Sequence, residues 1–170
     1  LLVSYNELHI TWGGVHRVNK LLIDGFSKQG HRCLYLINKS GEYFYINNKE
    51  IEENRIDKEG LKQYLLENNV DVIINQEGVF SDSFHLAFGS LGLCNVRLLT
   101  VFHSTPSIYE TLYGFKWLIS QITQNRSLKN TLLYLARIIG YPLWRKSAKN
   151  KIAKRYQNIY RISDRCVMLS

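Results

Sequence analysis

The chain has 170 residues, of which 45% are apolar and 21% charged, and its formal net charge is +8. A chain of this length fills one ordinary domain and is too short for two, so a single domain over residues 1–170 is predicted. The composition excludes disorder and low-complexity architectures, and no apolar run approaches the ~20 residues that a membrane-spanning helix needs.

The positive charge is concentrated in one part of the chain. Residues 126–165 hold 11 Lys and Arg against one acid, Asp164, whereas the other 130 residues hold 11 Lys and Arg against 13 acids. A local basic patch indicates an anionic partner surface, which is either a membrane or a nucleic acid.

The three cysteines predict free thiols. Cys33, Cys94 and Cys166 are odd in number and widely spaced, and two of them lie in apolar, strand-like runs. This pattern favours buried thiols over disulfides or a metal site, and it indicates a reducing, cytoplasmic compartment.

The chain begins with the pattern of a βαβ unit. A strand over residues 1–4 is followed by a polar loop and by a helical apolar period that starts after Gly13-Gly14 and ends at Gly30, a left-handed cap position. A second strand over residues 32–37 closes the unit, which requires a parallel pair and a right-handed crossover.

Gly13 and Gly14 open the first helix in a way that suits an anion. Paired glycines let the backbone turn sharply and approach a ligand, and a helix start presents unpaired N–H groups and a positive dipole end. The alternative is an ordinary tight turn between a strand and a helix. The fingerprint of dinucleotide binding is incomplete here, since no third glycine follows and no acid ends the second strand.

The rest of the chain alternates helix and strand before turning helical. An edge strand or hairpin arm is predicted at 43–46, and Asp57 is predicted to cap a helix that ends at Asn68-Asn69. Further predictions are a strand at 70–74, a helix at 81–93, a strand at 96–102, helices across 112–160 with a break at 140–142, and a strand at 165–169. The fold class is therefore α/β, with a Rossmann-like parallel sheet flanked by helices.

Polar residues follow two of the predicted strands. Gln76 and Glu77 come after one, and His103 and Ser104 after the next. Because ligands in open α/β sheets bind outside the carboxyl ends of strands, these residues and the glycine pair are expected to face one crevice. The structural alternatives are that His103 only caps the sheet and that Glu77 only neighbours the next helix start, while His16 is expected to be exposed.

Several segments in this order resemble one enzyme family. The chain looks like the N-terminal half of a GT-B glycosyltransferase, closest to the large retaining group related to glycogen synthases and phosphatidylinositol mannosyltransferases. The segments that carry the resemblance are 13–18, 26–31, 71–74, 102–104 and 163–170.

The resemblance implies a function and a set of roles. In that family two Rossmann-like domains face each other, and the N-terminal one binds the acceptor while the C-terminal one, which would belong to the same polypeptide, holds the nucleotide sugar. Gly13 and Gly14 would approach the donor diphosphate, His103 would lie near the reacting sugar, and Gln76, Glu77 and Ser104 would line the acceptor side. The nucleotide sugar is a co-substrate, and the resemblance implies neither a cofactor nor a metal. The acceptor would be a polysaccharide or a lipid-linked glycan, and this chain alone would be inactive.

The basic segment supports a second expectation. Residues 132–160 combine apolar bulk with cations, which is typical of a helix lying against anionic lipid at the inner face of the plasma membrane. The candidate membrane-surface residues are Arg137, Trp144, Arg145, Lys146 and Lys149. The alternatives are a core helix with a solvated basic face and, for the whole chain, a non-catalytic Rossmann-like module that binds a nucleotide or phosphate. Nucleic acid is not expected as a partner, because no reading motif or aromatic platform is present.

Overall fold

A computed structural model describes residues 1–4, 13–39, 42–47, 50–78, 82–103, 114–124 and 127–169. The chain divides into two compact units, the first formed by residues 1–103 and 158–170 and the second by 104–157. The prediction of one domain is not tested by this division and stays a prediction.

The first unit is built on a sheet that contains seven strands within the described ranges. The strands are β1 (Leu2–Ser4), β2 (Tyr35–Lys39), β3 (Glu42–Asn47), β4 (Glu50–Ile56), β5 (Val72–Asn75), β6 (Arg97–Phe102) and β7 (Arg165–Met168). Their order across the sheet is β4-β3-β2-β1-β5-β6-β7. Five neighbouring strands are parallel, in the order β2, β1, β5, β6 and β7. The β3–β4 hairpin adds two antiparallel strands beside β2. The predicted α/β class with a mostly parallel, Rossmann-like sheet is confirmed.

Helices cover both faces of this sheet. The first unit contains α1 (Gly13–Lys28), α2 (Lys58–Glu67) and α3 (Asp82–Gly89). On one face, Leu22 and Ile23 of α1 pack against Leu2, Tyr35 and Ile37. On the other face, α2 and α3 pack on the larger apolar cluster, whose fully buried members include Val3, Leu36, Leu61, Ile73, Phe84 and Leu98. This two-sided burial explains the continuous apolar runs of the parallel strands.

Local chemistry confirms the predicted end of one helix and the predicted start of another. Gly30 has a φ of +86°, the left-handed conformation that glycine adopts without strain, and it lies two residues after the end of α1. The Asp57 side chain accepts a hydrogen bond from the Gly60 backbone N–H at 2.8 Å, so it caps α2 as expected.

The sequence pattern missed one strand and misplaced some boundaries. β4 was not predicted because its sequence, Glu50–Ile56, is mostly polar. An edge strand tolerates this composition, and β4 is the last strand on its side of the sheet within the described ranges. β2 begins three residues later than predicted, at Tyr35, and α3 is shorter than the predicted 81–93. In each case pairing and packing, rather than local propensity, set the boundary.

The prediction of buried thiols is wrong. All three cysteines are free, but Cys94 is exposed and Cys33 and Cys166 are only half-buried. Cys33 precedes β2, although the sequence pattern had placed it in that strand, whereas Cys166 lies in β7 as predicted.

The second unit is helical. It holds α4 (Phe115–Gln124), α5 (Leu128–Ile139) and the greater part of α6 (Tyr141–Ile162), whose last turn belongs to the first unit. Gly140 separates α5 from α6 as the sequence predicted, and its N–H bonds to the Ala136 carbonyl at 3.0 Å. Trp117 packs edge-on against Tyr134, and Phe115 against Tyr141. Within the part of the chain described, no helix combines the length and the apolar character needed to cross a membrane.

Replacing Asp57 with Ala is expected to lower the free energy of unfolding by about 1 kcal/mol, because the Gly60 N–H loses its acceptor. Urea unfolding followed by circular dichroism measures the change. Asp57→Asn keeps an acceptor oxygen and serves as the control, so an equal loss in both variants would contradict the capping role.

Candidate functional site

The carboxyl ends of the parallel strands bring the predicted residues to one edge of the sheet. Gln76 and Glu77 directly follow β5, His103 directly follows β6, and α1 begins at Gly13 after β1. β1 pairs in parallel with β2 on one side and β5 on the other, so the strand order reverses beside β1. Such a reversal opens a crevice between helices that leave on opposite faces.

Gln76 and His103 are joined across this edge. The Gln76 backbone N–H donates to the Val3 carbonyl at 2.9 Å, so the β1–β5 ladder continues through this residue. Its side-chain Oε1 lies 2.6 Å from Nε2 of His103. Because an amide oxygen only accepts, His103 Nε2 carries the proton in this contact. Burial lowers the pKa of His103, which favours the neutral ring.

Glu77 is a buried carboxyl held by two asparagines. Its Oε2 accepts a hydrogen bond from Asn38 Nδ2 at 2.8 Å, and its backbone N–H donates to Asn75 Oδ1 at 3.0 Å. Only 6% of Glu77 is exposed, and burial raises its pKa to about 8, with the Asn38 bond offsetting part of the shift. Glu77 is therefore mostly protonated at neutral pH and has an O–H to donate.

Two tyrosines have raised pKa values, to which the charge of Glu77 contributes. Burial, with the charge of Glu77 as a smaller cause, raises the pKa of Tyr43 to about 12. Burial first and the charge of Glu77 last also raise the pKa of Tyr35, against the hydrogen bonds from Ser4 and Asn19 that lower it. Both tyrosines therefore keep a protonated, uncharged hydroxyl at any physiological pH.

Four buried polar atoms near this edge have no hydrogen-bond partner within the described ranges. They are His16 Nδ1, Asn19 Oδ1, Gln76 Nε2 and Glu77 Oε1. The expectation that His16 is exposed is wrong, since only 9% of it is accessible. Buried polar atoms are nearly always paired, so a group of orphans points to a ligand or to ordered water.

Gly13 and Gly14 are the first residues of α1, as the sequence pattern predicted. A Cβ added at Gly14 would meet no atom of the described residues within 4 Å. Packing against the described part of the chain therefore does not explain the glycine at position 14. Ser104, the remaining predicted acceptor residue, lies outside the described residues.

The structural alternatives have different outcomes. Glu77 bonds to Asn38 on β2 and lies five residues before α3, so it is not a cap of that helix. His103 does bond to a neighbouring strand end, as the sheet-capping alternative expected, and the same bond also places its ring beside Gln76. Gly78, with a φ of +57°, turns the chain directly after Glu77.

Sequence reasoning missed Asn19, Asn38 and the two tyrosines. One signal was available for Asn19: it follows Val15 by four residues and precedes Leu22 by three, so it sits in the apolar stripe of α1. A polar side chain at such a position faces the sheet. No local pattern identifies Asn38, because its partner is 39 residues away in the chain.

A cavity of about 420 Å³ lies at the opposite, amino-terminal edge of the sheet. Its lining includes Phe26, His31, Arg32, Asn69 and Asp71, and none of the predicted site residues. Because open α/β sheets bind ligands at their carboxyl edge, we assign the site to the polar cluster rather than to this cavity.

The membrane-surface candidates form part of the second unit. The Arg137 guanidinium lies over the rings of Tyr134 and Trp144, at 5.4 and 5.8 Å from their centroids. Arg145, Lys146 and Lys149 are exposed on α6. A shallow groove of about 380 Å³ runs along the same helix, lined by Leu143, Lys146, Ser147, Asn150, Lys151 and Lys154.

No protein-family model matches the chain, and no significant match is found among curated proteins or solved structures. Among the described residues no three His, Cys, Asp or Glu side chains lie close enough together to hold a metal ion.

The pKa of Glu77 predicts a pH-dependent stability. The folded chain keeps the carboxyl neutral up to about pH 8, whereas the unfolded chain ionises it above about 4.5, so stability falls as pH rises between these values. Glu77→Gln is expected to match the wild type at pH 5 and to exceed it by up to several kcal/mol at pH 9, at about 1.4 kcal/mol per pKa unit. Thermal unfolding across pH 5–9 measures this. Parallel curves for the two proteins would contradict it.

Proposed function

We propose that the chain is the acceptor-binding domain of a retaining GT-B glycosyltransferase, which transfers a sugar from a nucleotide-sugar donor to a polysaccharide or lipid-linked acceptor. The observation that carries the proposal is the crevice beside β1, where Gln76, Glu77 and His103 meet one edge together with the start of α1. The order of the family-like segments along the chain supports the same conclusion.

The start of α1 suits the leaving group of this reaction. Transfer from a nucleotide sugar develops negative charge on the departing diphosphate. The first N–H groups of α1 have no partner inside the helix, and they carry the positive end of its dipole. With no side chain at Gly13 or Gly14, a phosphate oxygen can approach these donors closely, which stabilises the charge as it forms.

His103 and the acceptor residues would orient a hydroxyl nucleophile. With Nε2 bonded to Gln76 Oε1, Nδ1 is the ring atom left to accept a hydrogen bond from a sugar hydroxyl. Glu77 adds a protonated carboxyl, which donates to a hydroxyl oxygen. Residues that position a reacting hydroxyl in this way accelerate transfer by proximity and by proton transfer.

The second unit would hold the enzyme at the cytoplasmic face of a membrane, where such acceptors are assembled. Large apolar side chains are exposed on α5 and on the start of α6: Leu132, Leu133, Leu135, Ile139 and Leu143. The exposed cations Arg145, Lys146 and Lys149 follow them on α6. Apolar groups beside cations match the chemistry of an anionic lipid surface.

The enzymatic proposal is tested on the complete polypeptide. We expect the gene to continue past Ser170 into a second βα domain with the paired acidic motif that holds the donor. In that enzyme His103→Ala is expected to lower kcat about 100-fold or more, because the ring contacts the reacting hydroxyl. Radiolabelled sugar transfer measures kcat, and circular dichroism checks the fold.

His31→Ala is the matched control, since His31 is an exposed imidazole at the opposite edge of the sheet. Wild-type turnover in the His103 variant would remove its catalytic role. A gene without a second domain would instead favour a non-catalytic module that binds a nucleotide or phosphate.

The membrane proposal is tested by flotation with liposomes. Reversing the charge of Arg145, Lys146 and Lys149 to Glu is expected to abolish binding to vesicles that contain phosphatidylserine, since each cation near the surface contributes about 1 kcal/mol. Binding of the wild type should weaken as salt rises. Lys58→Glu with Lys62→Glu, on exposed positions of α2, is the control. Salt-insensitive or absent binding of the wild type would contradict the proposal.

A further inference from the structure

The inner face of α1 carries two buried polar side chains. His16 and Asn19 are three residues apart and therefore lie on the same side of the helix. Only 9% of His16 and none of Asn19 is accessible to solvent. His16 Nδ1 and Asn19 Oδ1 have no hydrogen-bond partner in the described part of the chain. A helix that only needed to pack on the sheet would carry apolar side chains at both positions.

Asn19 bonds through its amide nitrogen, although its carbonyl has no partner within the described ranges. Its Nδ2 donates to the Tyr35 hydroxyl at 3.4 Å, and the same hydroxyl bonds to the Ser4 side chain at the end of β1. With Nδ2 turned toward Tyr35, Oδ1 is the amide atom that has no partner among the described residues.

Gln76 lies on the same face of the sheet as these two residues. Ile74 packs in the apolar cluster beneath α1, and residues two apart on a strand point to the same face. The ladder bond from Gln76 N–H to the Val3 carbonyl carries this alternation through Gln76. The unpartnered Nε2 of Gln76 thus belongs to the α1 side of the crevice.

The unpaired atoms define the chemistry of what they bind. Asn19 Oδ1 only accepts, Gln76 Nε2 only donates, and His16 Nδ1 does either according to its tautomer. A hydroxyl group both donates and accepts, so two or three hydroxyls on one ring satisfy this set. A phosphate only accepts and would leave Asn19 Oδ1 unpaired. None of the three side chains is a permanent cation that would offset the charge of an anion.

We infer that His16 and Asn19 bind the hydroxyl groups of a neutral hexose ring and form the α1 wall of the site, opposite Gln76. That this hexose belongs to the sugar acceptor rests on the proposed function. The inference adds two binding residues on α1 to those that follow β5 and β6, and it places the acceptor ring deeper than the phosphate-binding start of the helix.

Asn19→Leu separates binding from structure. Leu has a similar size and removes a buried carbonyl that has no partner in the described part of the chain. The Tyr35 hydroxyl loses the Asn19 amide but keeps its bond to Ser4, so the variant is expected to unfold at an unchanged or higher temperature. Its affinity for the hexose is expected to fall about tenfold or more. The probes are methyl glucoside, methyl mannoside and methyl galactoside, titrated into the 170-residue chain and followed by NMR. Inorganic pyrophosphate is the anionic comparison probe.

His16→Phe and His85→Phe provide a matched pair of substitutions. We expect His16→Phe to weaken hexoside binding with little loss of stability. His85 is also buried, but its Nε2 lies 2.8 Å from Thr100 Oγ1 on the other face of the sheet. His85→Phe is therefore expected to lower the unfolding temperature and to leave the hexoside affinity of the folded protein unchanged.

Three results would overturn the inference. The first is that no methyl hexoside binds the wild type at concentrations up to about 100 mM, which is on the order of the weakest measurable Kd. The second is that Asn19→Leu keeps the hexoside affinity, and the third is that Asn19→Leu weakens only pyrophosphate binding. The proposed function fails separately. Sugar transfer by the complete enzyme with an acceptor KM unaltered by Asn19→Leu would leave the function standing and remove the inference. Hexoside binding that depends on Asn19, without any sugar transfer by the complete enzyme, would leave the inference standing and remove the proposed function.

Discussion

The parallel pairing of β1 on both of its sides is the constraint on which the first unit depends. β1 has only three residues, Leu2–Ser4, yet it joins β2 on one side and β5 on the other. Because the crossovers to these two neighbours run in opposite directions, α1 covers one face and the later helices cover the other. The carboxyl end of β1 is consequently a position where a crevice between the two helical layers is expected.

The polar residues collected at that place work against the stability of the fold. Glu77 loses hydration that the Asn38 bond only partly replaces, and Asn19 and Gln76 each bury an atom that has no partner among the described residues. A buried polar atom without a partner costs about 1–3 kcal/mol, so the free energy of unfolding is smaller with this edge than it would be with an apolar one. Sites built for binding commonly tolerate such a loss, because the ligand supplies the missing partners.

The two units present different chemistry. In the first, the polar edge is rich in neutral amides, tyrosine hydroxyls and a carboxyl whose pKa is raised, which suits a neutral ligand with many hydroxyls. In the second, α5 and α6 expose aliphatic side chains and cations, which suits an anionic lipid surface. Most of the Lys and Arg in residues 126–165 belong to the second unit. The proposed transfer to a lipid-linked acceptor would use both kinds of surface.

The sequence by itself determined the features that depend on neighbouring residues: the α/β class, the helix ends at Gly30 and Asp57, and the position of Gln76, Glu77 and His103 after buried strands. Caps, glycine conformations and apolar periodicity act over a few residues, so they are readable from a single chain. Only the tertiary structure decided that β4 pairs, that His16 is buried, and that Glu77 meets Asn38 from 39 residues away. These features arise from contacts between distant segments, whose burial and pairing energies exceed the local preferences that a sequence pattern records.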